Sequence, residues 1–242
     1  MKEEDQPQIP VPEAVTNTPT VVTGEAVRPD PKINASRKDL QLPRRMVHLF
    51  NGLMIAFIYG YFLTHSVAVH ILGTFACIFY IFEQLRINYP EYSQSFNSIG
   101  QYLFRAEEQL KESSMIPYIM GLLLTIISFP KSVAICSILT LGVADPLSAI
   151  VGIKYGRLRI VKEKSVEGSL AFFIACFVCI YLPLYFTTTN NPVALAIMAF
   201  IASIIIAIFE MLPIRLDDNL TIPLFCGLTI LIMGNRFGIY FY

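Results

Sequence analysis

Seven long apolar stretches occupy most of the sequence, and they constrain the fold more than any other feature. A membrane-spanning helix needs about 20 mainly apolar residues to cross roughly 30 Å of hydrocarbon. The stretches cover residues 46–63, 67–83, 115–129, 132–152, 168–186, 192–210 and 220–241. The sequence therefore predicts an all-α fold, a polytopic membrane helix bundle of about seven transmembrane helices. The stretch 115–129 is the shortest, and its helix either tilts little in a locally thinned bilayer or starts earlier in the sequence.

The N-terminal segment departs from this pattern. Residues 1–45 hold 7 of the 15 prolines and 14 of the 36 charged residues, and residues 1–36 show neither a helical nor a strand period. Polar, proline-rich segments bury too little apolar surface to fold alone, and this one lacks the pattern of a signal peptide. We therefore expect residues 1–40 to form a disordered cytosolic tail and residues 41–242 to form the membrane domain.

Lysine and arginine collect at alternate ends of the apolar stretches, which sets the predicted orientation. They precede the first stretch and fill the loops after the second and fourth, whereas the opposite connections contain Lys131, with Arg236 near the C-terminus. Because basic loops stay cytosolic, we predict a cytosolic N-terminus and an external C-terminus. The compact size favours a bacterial inner membrane over an endoplasmic reticulum. The net charge is zero, which gives no electrostatic footprint for nucleic acid.

Most acidic residues of the membrane domain lie on the same predicted side as the bases. They are Glu83, Glu107, Glu108, Asp145, Glu163, Glu167, Glu210, Asp217 and Asp218. Carboxylates beside hydrocarbon are costly and need cationic or metal partners, so they are functional candidates. A purely structural scaffold would not need so many on one face.

The loop between the second and third stretches is long enough for a helix of its own. Apolar residues recur in it at spacings of three to four, which predicts an amphipathic cytosolic interfacial helix over residues 91–111. It could act as a lid or simply cover the bundle.

Asp145-Pro146 lies inside the fourth stretch. Proline suits a first helical position and aspartate is a favoured N-cap, so the pair predicts a helix that breaks and restarts. Such a break must line a cavity or be buried in protein. Four residues beyond it offer close backbone approach or positive charge: Gly152, Lys154, Gly156 and Arg157. The glycine pair equally fits plain helix packing.

The fifth stretch is entered through Lys164-Ser-Val-Glu-Gly-Ser169. A lysine, two hydroxyl groups and a glycine at a helix start suit phosphate, because backbone N–H groups and the positive end of the helix dipole attract anions. Glu167 would compete with that anion unless it holds a cation or a neighbouring base. Neither G-x-x-x-x-G-K-[ST] nor G-x-G-x-x-G occurs, and lysine with glutamate is also common at ordinary cytosolic boundaries.

A third segment runs from Glu210 to Pro223 and contains Asp217, Asp218 and Asn219 in a row. Adjacent carboxylates and an amide suit magnesium, which takes one or two protein carboxylates together with substrate phosphates. Alternatively, Asp218 and Asn219 merely cap the last helix.

Arg44-Arg45-Met-Val-His48 stands at the first cytosolic boundary. The positive-inside pattern would explain the arginines, but helical spacing also places His48 on their face. The alternative is that the two arginines and His48 bind phosphate.

Taken together, these segments resemble the CTP-dependent lipid kinases, a family that includes dolichol, polyprenol and phytol kinases and a CTP-using diacylglycerol kinase. The resemblance covers roughly Arg44 to Pro223 and depends on the joint order and spacing of the motifs. They are Arg44-Arg45-x-x-His48, Glu83 with Arg86, Arg105-Ala-Glu-Glu108, Asp145-Pro with Gly152 and Gly156-Arg157, Lys164-Ser-x-Glu-Gly168, Glu210, and Asp217-Asp-Asn-x-Thr-Ile-Pro223.

The resemblance implies transfer of the terminal phosphoryl group of CTP to a lipid alcohol of dolichol, polyprenol or diacylglycerol type, with Mg²⁺ or another divalent cation. The expected catalytic residues are Asp145, Asp218, Lys164 and His48. The expected nucleotide-binding residues are Arg44, Arg45, Gly152, Lys154, Gly156, Arg157, Lys164, Ser165, Glu167 and Gly168. The expected metal ligands are Asp145, Glu210, Asp217, Asp218 and Asn219, with the proton acceptor left open among the aspartates.

Two other functions remain compatible with these residues. Phosphatidate cytidylyltransferases share a similar Asp…Gly…Gly…Lys-Ser/Thr-x-Glu-Gly block and would move CMP instead of phosphate. A lipid transporter or binding module would also explain a broken helix with polar residues, although the halves of the chain show no convincing repeat.

Overall fold

The computed structural model describes residues 42–89, 114–161, 164–188, 190–214 and 216–241. The predicted tail over 1–40 and the predicted interfacial helix over 91–111 lie outside these described residues. The described part of the chain forms eight α-helices, one π-helical segment and a two-stranded antiparallel hairpin. The predicted all-α helix bundle is therefore confirmed.

The elements follow the apolar stretches of the sequence. They are α1 (Leu42–Tyr61), α2 (His65–Asn88), α3 (Met115–Ser128), α4 (Lys131–Leu139), a π segment (Thr140–Ala144), α5 (Asp145–Tyr155), β1 (Arg159–Val161), β2 (Lys164–Ser165), α6 (Val166–Thr187), α7 (Pro192–Glu210) and α8 (Asp218–Phe237).

Five helical stretches in the described residues are long and apolar enough to cross a membrane. They are α2, the continuous run from α4 through the π segment to α5, and then α6, α7 and α8. Helix α3 has 14 residues, and α1 has 20 residues but carries arginines and a histidine in its first half. The chain is an integral membrane protein, and crossing by α1 and α3 stays a prediction.

Local chemistry explains where several helices begin and end. Asn191 accepts hydrogen bonds from the backbone N–H groups of Val193 and Ala194, and Pro192 occupies the first turn of α7, where no N–H is needed. Helix α8 ends at Gly238, whose φ of 66° is the left-handed conformation that favours glycine.

The prediction that the helix breaks and restarts at Asp145 is wrong, because the helix continues through this residue. Asp145 has helical backbone angles (φ −63°, ψ −52°), and no side chain caps the start of α5. Instead, the five-residue π segment changes the hydrogen-bond spacing immediately before Pro146. A π turn shifts which carbonyl groups accept, so the helix continues past a proline that would otherwise leave a missing bond and a steric clash.

The core lies between the π segment and helices α3, α4, α6, α7 and α8. Its most deeply buried large side chains include Ile138, Leu141, Phe172, Ile180, Met198, Ile206 and Ile222. Helices α1 and α2 lie at the periphery and leave many apolar side chains exposed, as contact with hydrocarbon requires.

Helix α1 comes very close to the π segment at two glycines. A Cβ atom added to Gly142 would lie 2.7 Å from the Cα atom of Gly52, so neither position has room for a side chain. Small residues allow this kind of close helix contact in membrane bundles. The contact brings the first turns of α1 alongside the start of α5.

Candidate active site

A polar cavity of about 260 Å³ lies where α1 and α8 begin, α7 ends and α5 passes the start of α6. Eight residues singled out from the sequence line it: Arg45, Asp145, Gly152, Lys164, Ser165, Gly168, Glu210 and Asp218. They come from five separate segments of the chain, and the fold brings them to one end of the bundle.

Lys164 is the ionic centre of this cavity. Its Nζ atom lies 2.8 Å from Glu210 Oε1 and 3.4 Å from Asp218 Oδ2, and it also donates to the main-chain carbonyl of Glu210. Burial lowers the pKa of Lys164, but the hydrogen bonds and charges of Glu210 and Asp218 outweigh burial and raise that pKa above its usual value. Lys164 is therefore a cation at neutral pH.

Glu210 ends α7 and is almost completely buried, with 5% of its surface exposed. One carboxylate oxygen holds Lys164, whereas the other, Oε2, is buried without a hydrogen-bond partner among the described residues. A buried charged oxygen that lacks a partner is costly. This oxygen is therefore available to a cation or a donor that enters the cavity.

Asp145 and Arg45 complete the charge pattern. Asp145 is half-buried at the start of α5, roughly 15 Å along the helix from its end at Tyr155. Arg45 is half-buried on α1, and Asp145 is one of its electrostatic neighbours. The cavity thus contains two cations and three carboxylates, and it reaches from the helix ends into the apolar bundle.

The hairpin of β1 and β2 connects α5 to α6, and Lys164 is the first residue of β2. Ser165 caps α6 by accepting a hydrogen bond from the backbone N–H of Gly168 at 3.1 Å. A Cβ atom on Gly168 would lie 2.9 Å from the carbonyl oxygen of Ser148 and 3.2 Å from the Cα of Gly152. Gly152 therefore serves close packing of α5 against α6 and lines the cavity as well.

The predicted metal ligands separate into two groups. Asp145, Glu210 and Asp218 line the cavity. Asp217 instead caps α8, because its Oδ1 accepts from the backbone N–H of Asn219 at 2.9 Å. The described residues contain no group of three or more histidine, cysteine or acidic side chains arranged to hold a metal ion.

Five predicted nucleotide-binding residues do not line the cavity: Arg44, Lys154, Gly156, Arg157 and Glu167. Arg44 is exposed and donates to Ser114 Oγ at 3.0 Å, and Lys154 is exposed with its Nζ 5.0 Å from the Tyr155 ring centroid. Glu167 Oε1 accepts from the backbone N–H of Arg157 at 3.0 Å, close to the end of α5 at Gly156. Gly156, Arg157 and Glu167 therefore lie next to the hairpin, whereas Arg44 lies on α1 beside the start of α3.

His48 also lies outside the cavity lining. Its ring centroid is 5.0 Å from that of Tyr118 on α3. Sequence reasoning missed Tyr118, and it also missed three residues that do line the cavity, Ser148, Ala149 and Ile153. Ser148 lies one helical turn after Asp145, so helical spacing was the available signal for it.

The apolar bundle and its ionic cavity define a polytopic membrane protein with a polar site near the ends of its helices. Among known proteins, the chain is 29% identical over 198 residues to the CTP-dependent diacylglycerol kinase 1 of Schizosaccharomyces pombe, covering 77% of this chain and 90% of the relative. It is 26% identical over 208 residues to the protein of the same name from Saccharomyces cerevisiae, covering 78% and 71%.

An uncharacterized protein of Methanocaldococcus jannaschii is 33% identical over 185 residues, which covers 76% of this chain and 88% of the relative. No family model matches the chain, and no solved structure matches it. The names of these kinase relatives support the family of CTP-dependent lipid kinases for this chain.

Proposed function

We propose that this chain transfers the terminal phosphoryl group of CTP to the hydroxyl group of a lipid alcohol, with diacylglycerol as the acceptor. The names of the relatives support both the donor and the acceptor. The structural observation that carries the proposal is the placement of Lys164 between Glu210 and Asp218, in a cavity that Asp145 and Arg45 also line.

Phosphoryl transfer requires in-line positioning and neutralised charge more than covalent chemistry from the protein. Lys164 and Arg45 contact the phosphate oxygens, and the triphosphate displaces at least one carboxylate from Lys164. The lipid hydroxyl oxygen attacks the terminal phosphorus, the bond to the bridging oxygen breaks, and CDP leaves. Asp145 or Asp218 accepts the hydroxyl proton, because both carboxylates line the cavity.

Magnesium fits this cavity as a partner of the nucleotide. The ion binds through one or two carboxylates plus substrate phosphates and keeps several waters, so a complete protein cage is not required. Glu210, with its buried unpartnered Oε2, and Asp218 are the residues that would hold it. When bound, the ion would neutralise charge on the phosphate oxygens.

We also propose that the cavity end of the bundle faces the cytosol. Basic residues are numerous at this end, among them Arg44, Arg45, Lys154 and Arg157, whereas the opposite helix ends carry Lys131 and Arg236. The positive-inside rule supports this orientation, with the end of α8 on the external side. A bacterial inner membrane as the location stays a prediction from the sequence.

The decisive experiment follows isotopic label from CTP into diacylglycerol with the purified full chain in lipid vesicles. We expect label from the γ-phosphate, but not from the α-phosphate, to enter the lipid, and ATP to replace CTP poorly. Asp218→Ala should abolish transfer. Arg236→Ala should retain it, because Arg236 is exposed in the last turn of α8, away from the cavity.

Three outcomes would contradict the proposal. Entry of α-phosphate label into the lipid would indicate cytidylyl transfer. CTP-independent movement of lipid would indicate a transporter. Full activity of Asp218→Ala would show that the cavity is not the site of phosphoryl transfer.

A further inference from the structure

Two buried polar atoms beside the cavity have no hydrogen-bond partner among the described residues. They are Nε2 of His48 on α1 and the hydroxyl oxygen of Tyr118 on α3. The two rings are 5.0 Å apart between centroids and inclined at 58°, and Tyr118 is 9% exposed. Leaving a buried donor or acceptor unsatisfied costs about 1–3 kcal/mol, so a pair of such atoms on facing helices indicates a ligand.

The pair adjoins the cavity on the side of α1. His48 follows Arg45 by one helical turn, and Arg45 lines the cavity. The backbone of Leu141 in the π segment interacts with the His48 ring, and Asp217 at the start of α8 is among its electrostatic neighbours. The two atoms therefore lie between α1, α3, the π segment and α8, roughly 5 Å further along α1 than Arg45.

The outer face of α1 next to this pair is apolar and open. Val47 and Phe50, which flank His48 in sequence, are each 67% exposed. On its other side, α1 packs along α4, the π segment and α5. A hydrocarbon chain can therefore lie along α1 while the polar end of the same lipid reaches His48 and Tyr118.

We propose that His48 and Tyr118 form the binding subsite for the ester-bearing glycerol backbone of the acceptor lipid. This inference depends on the proposed function, because it assumes a lipid alcohol as acceptor. The Tyr118 hydroxyl donates to an ester carbonyl oxygen, and His48 Nε2 makes a second polar contact with the same backbone. The free hydroxyl of the lipid then points into the adjacent cavity towards Asp145 and Asp218.

The subsite makes the enzyme selective among lipid alcohols. Diacylglycerol carries ester carbonyls close to its hydroxyl group, whereas polyprenols and phytol carry a hydroxyl alone. A site built to hydrogen-bond a substrate group rejects analogues that lack the group, because its own buried polar atoms then remain unpaired. Acceptors without ester carbonyls should therefore bind less well.

The test compares Tyr118→Phe with the wild-type chain on three acceptors: ester-linked diacylglycerol, the ether-linked dialkylglycerol of equal chain length, and a polyprenol. For the ester-linked acceptor we expect KM to rise about 10-fold, with kcat and the KM for CTP unchanged. The ether-linked acceptor should show no change, because the variant removes a contact that this lipid never makes. The wild-type chain should prefer the ester over the ether by the same factor.

Two further variants keep the result interpretable. His48→Ala should also raise the KM for the ester-linked acceptor, which gives a second reading if Tyr118→Phe folds poorly. Ser114→Ala is the matched control, because it removes the neighbouring contact between α1 and α3 that Arg44 makes, without touching the proposed subsite. It should leave all acceptor KM values unchanged.

An equal loss with ester and ether acceptors, an unchanged ester-to-ether ratio, or polyprenol as the best wild-type substrate would each overturn the subsite. If the wild-type chain still phosphorylates any of these acceptors from CTP, the proposed function is retained and only the subsite is wrong. If the wild-type chain phosphorylates none of the three from CTP, the proposed function fails and the subsite with it.

Discussion

Both ends of the helix bundle contain polar side chains, but the two ends differ in whether these side chains have hydrogen-bond partners. At the end away from the cavity, Lys131 Nζ donates to the Leu63 carbonyl at 2.9 Å and lies 5.4 Å from the centroid of the Tyr59 ring. The Tyr59 hydroxyl lies 3.1 Å from His65 Nδ1. These contacts join the turn between α1 and α2 to the start of α4.

At the cavity end, several buried polar atoms of the described residues have no partner. They are His48 Nε2, Tyr118 Oη, Glu167 Oε2 and Glu210 Oε2. At the opposite end, Ser132 Oγ alone among the described residues shares this condition. Unpaired buried polar groups cost stability, and proteins keep them mainly where function requires them. The comparison indicates a structural role for one end and ligand binding for the other.

The sharpest way to break this comparison is to remove the lysine from each end in turn. Lys164→Ala should lower the rate of phosphoryl transfer about 100- to 1,000-fold, as expected when one charge-stabilising donor is lost from an active site. Lys131→Ala, assayed at a temperature where it stays folded, should retain wild-type kcat. Transfer of γ-phosphate label to diacylglycerol measures both. A Lys164→Ala variant with more than a tenth of wild-type activity would remove the distinction.

Glu210→Gln should have the next largest effect. The substitution preserves the shape of the side chain but removes its negative charge. In the wild-type chain one oxygen of this carboxylate holds Lys164 at 2.8 Å, and the other, Oε2, has no hydrogen-bond partner among the described residues. We expect activity to fall about 10- to 100-fold and the half-saturating magnesium concentration to rise. A titration of magnesium at saturating CTP measures both. An unchanged magnesium requirement would show that Glu210 positions Lys164 without holding the ion.

The sequence predicted the helices well, because apolar length and capping residues are local signals. The predicted stretch 192–210 coincides with α7, whose start is marked by Asn191 and Pro192. The prediction at Asp145 failed for an equally local reason. A proline inside an apolar run indicates a break, and a π segment that absorbs the same proline leaves no separate signature in the sequence.

The site was predictable in its charges but not in its contacts. Carboxylates beside hydrocarbon are costly enough to identify Asp145, Glu210 and Asp218 as candidates. The pairing of Lys164 with Glu210, 46 residues later, depends on how α6 and α7 pack. Asp217 and Asp218 are adjacent and chemically alike, yet one caps α8 and the other reaches Lys164. Tyr118 was missed because a tyrosine in an apolar stretch carries no signal of its own.

A smaller effect, on stability alone, is expected for the opposite end. Lys131→Ala should lower the free energy of unfolding by about 2 kcal/mol, because it removes a charged hydrogen bond and a cation–π contact. Thermal unfolding in detergent, read with a thiol-reactive dye, can follow this change, because Cys136, Cys176, Cys179 and Cys226 are buried. Wild-type stability of Lys131→Ala would show that the contacts of Lys131 contribute little to the fold.

The smallest effect concerns the pH dependence of the ion pairs at Lys164. Because the folded protein raises the pKa of Lys164 above its ordinary value of 10.5, this charge stabilises the fold below that pH, and the contribution disappears only as pH rises through the higher folded value. The difference in Tm between wild type and Lys164→Met should therefore stay constant from about pH 7 to 9 and shrink above about 10.5. Convergence of the two Tm values already near pH 8 would mean that Lys164 loses its proton in the folded protein. In that case the ionic centre of the cavity would be neutral at the pH where the proposed function requires it to bind a triphosphate.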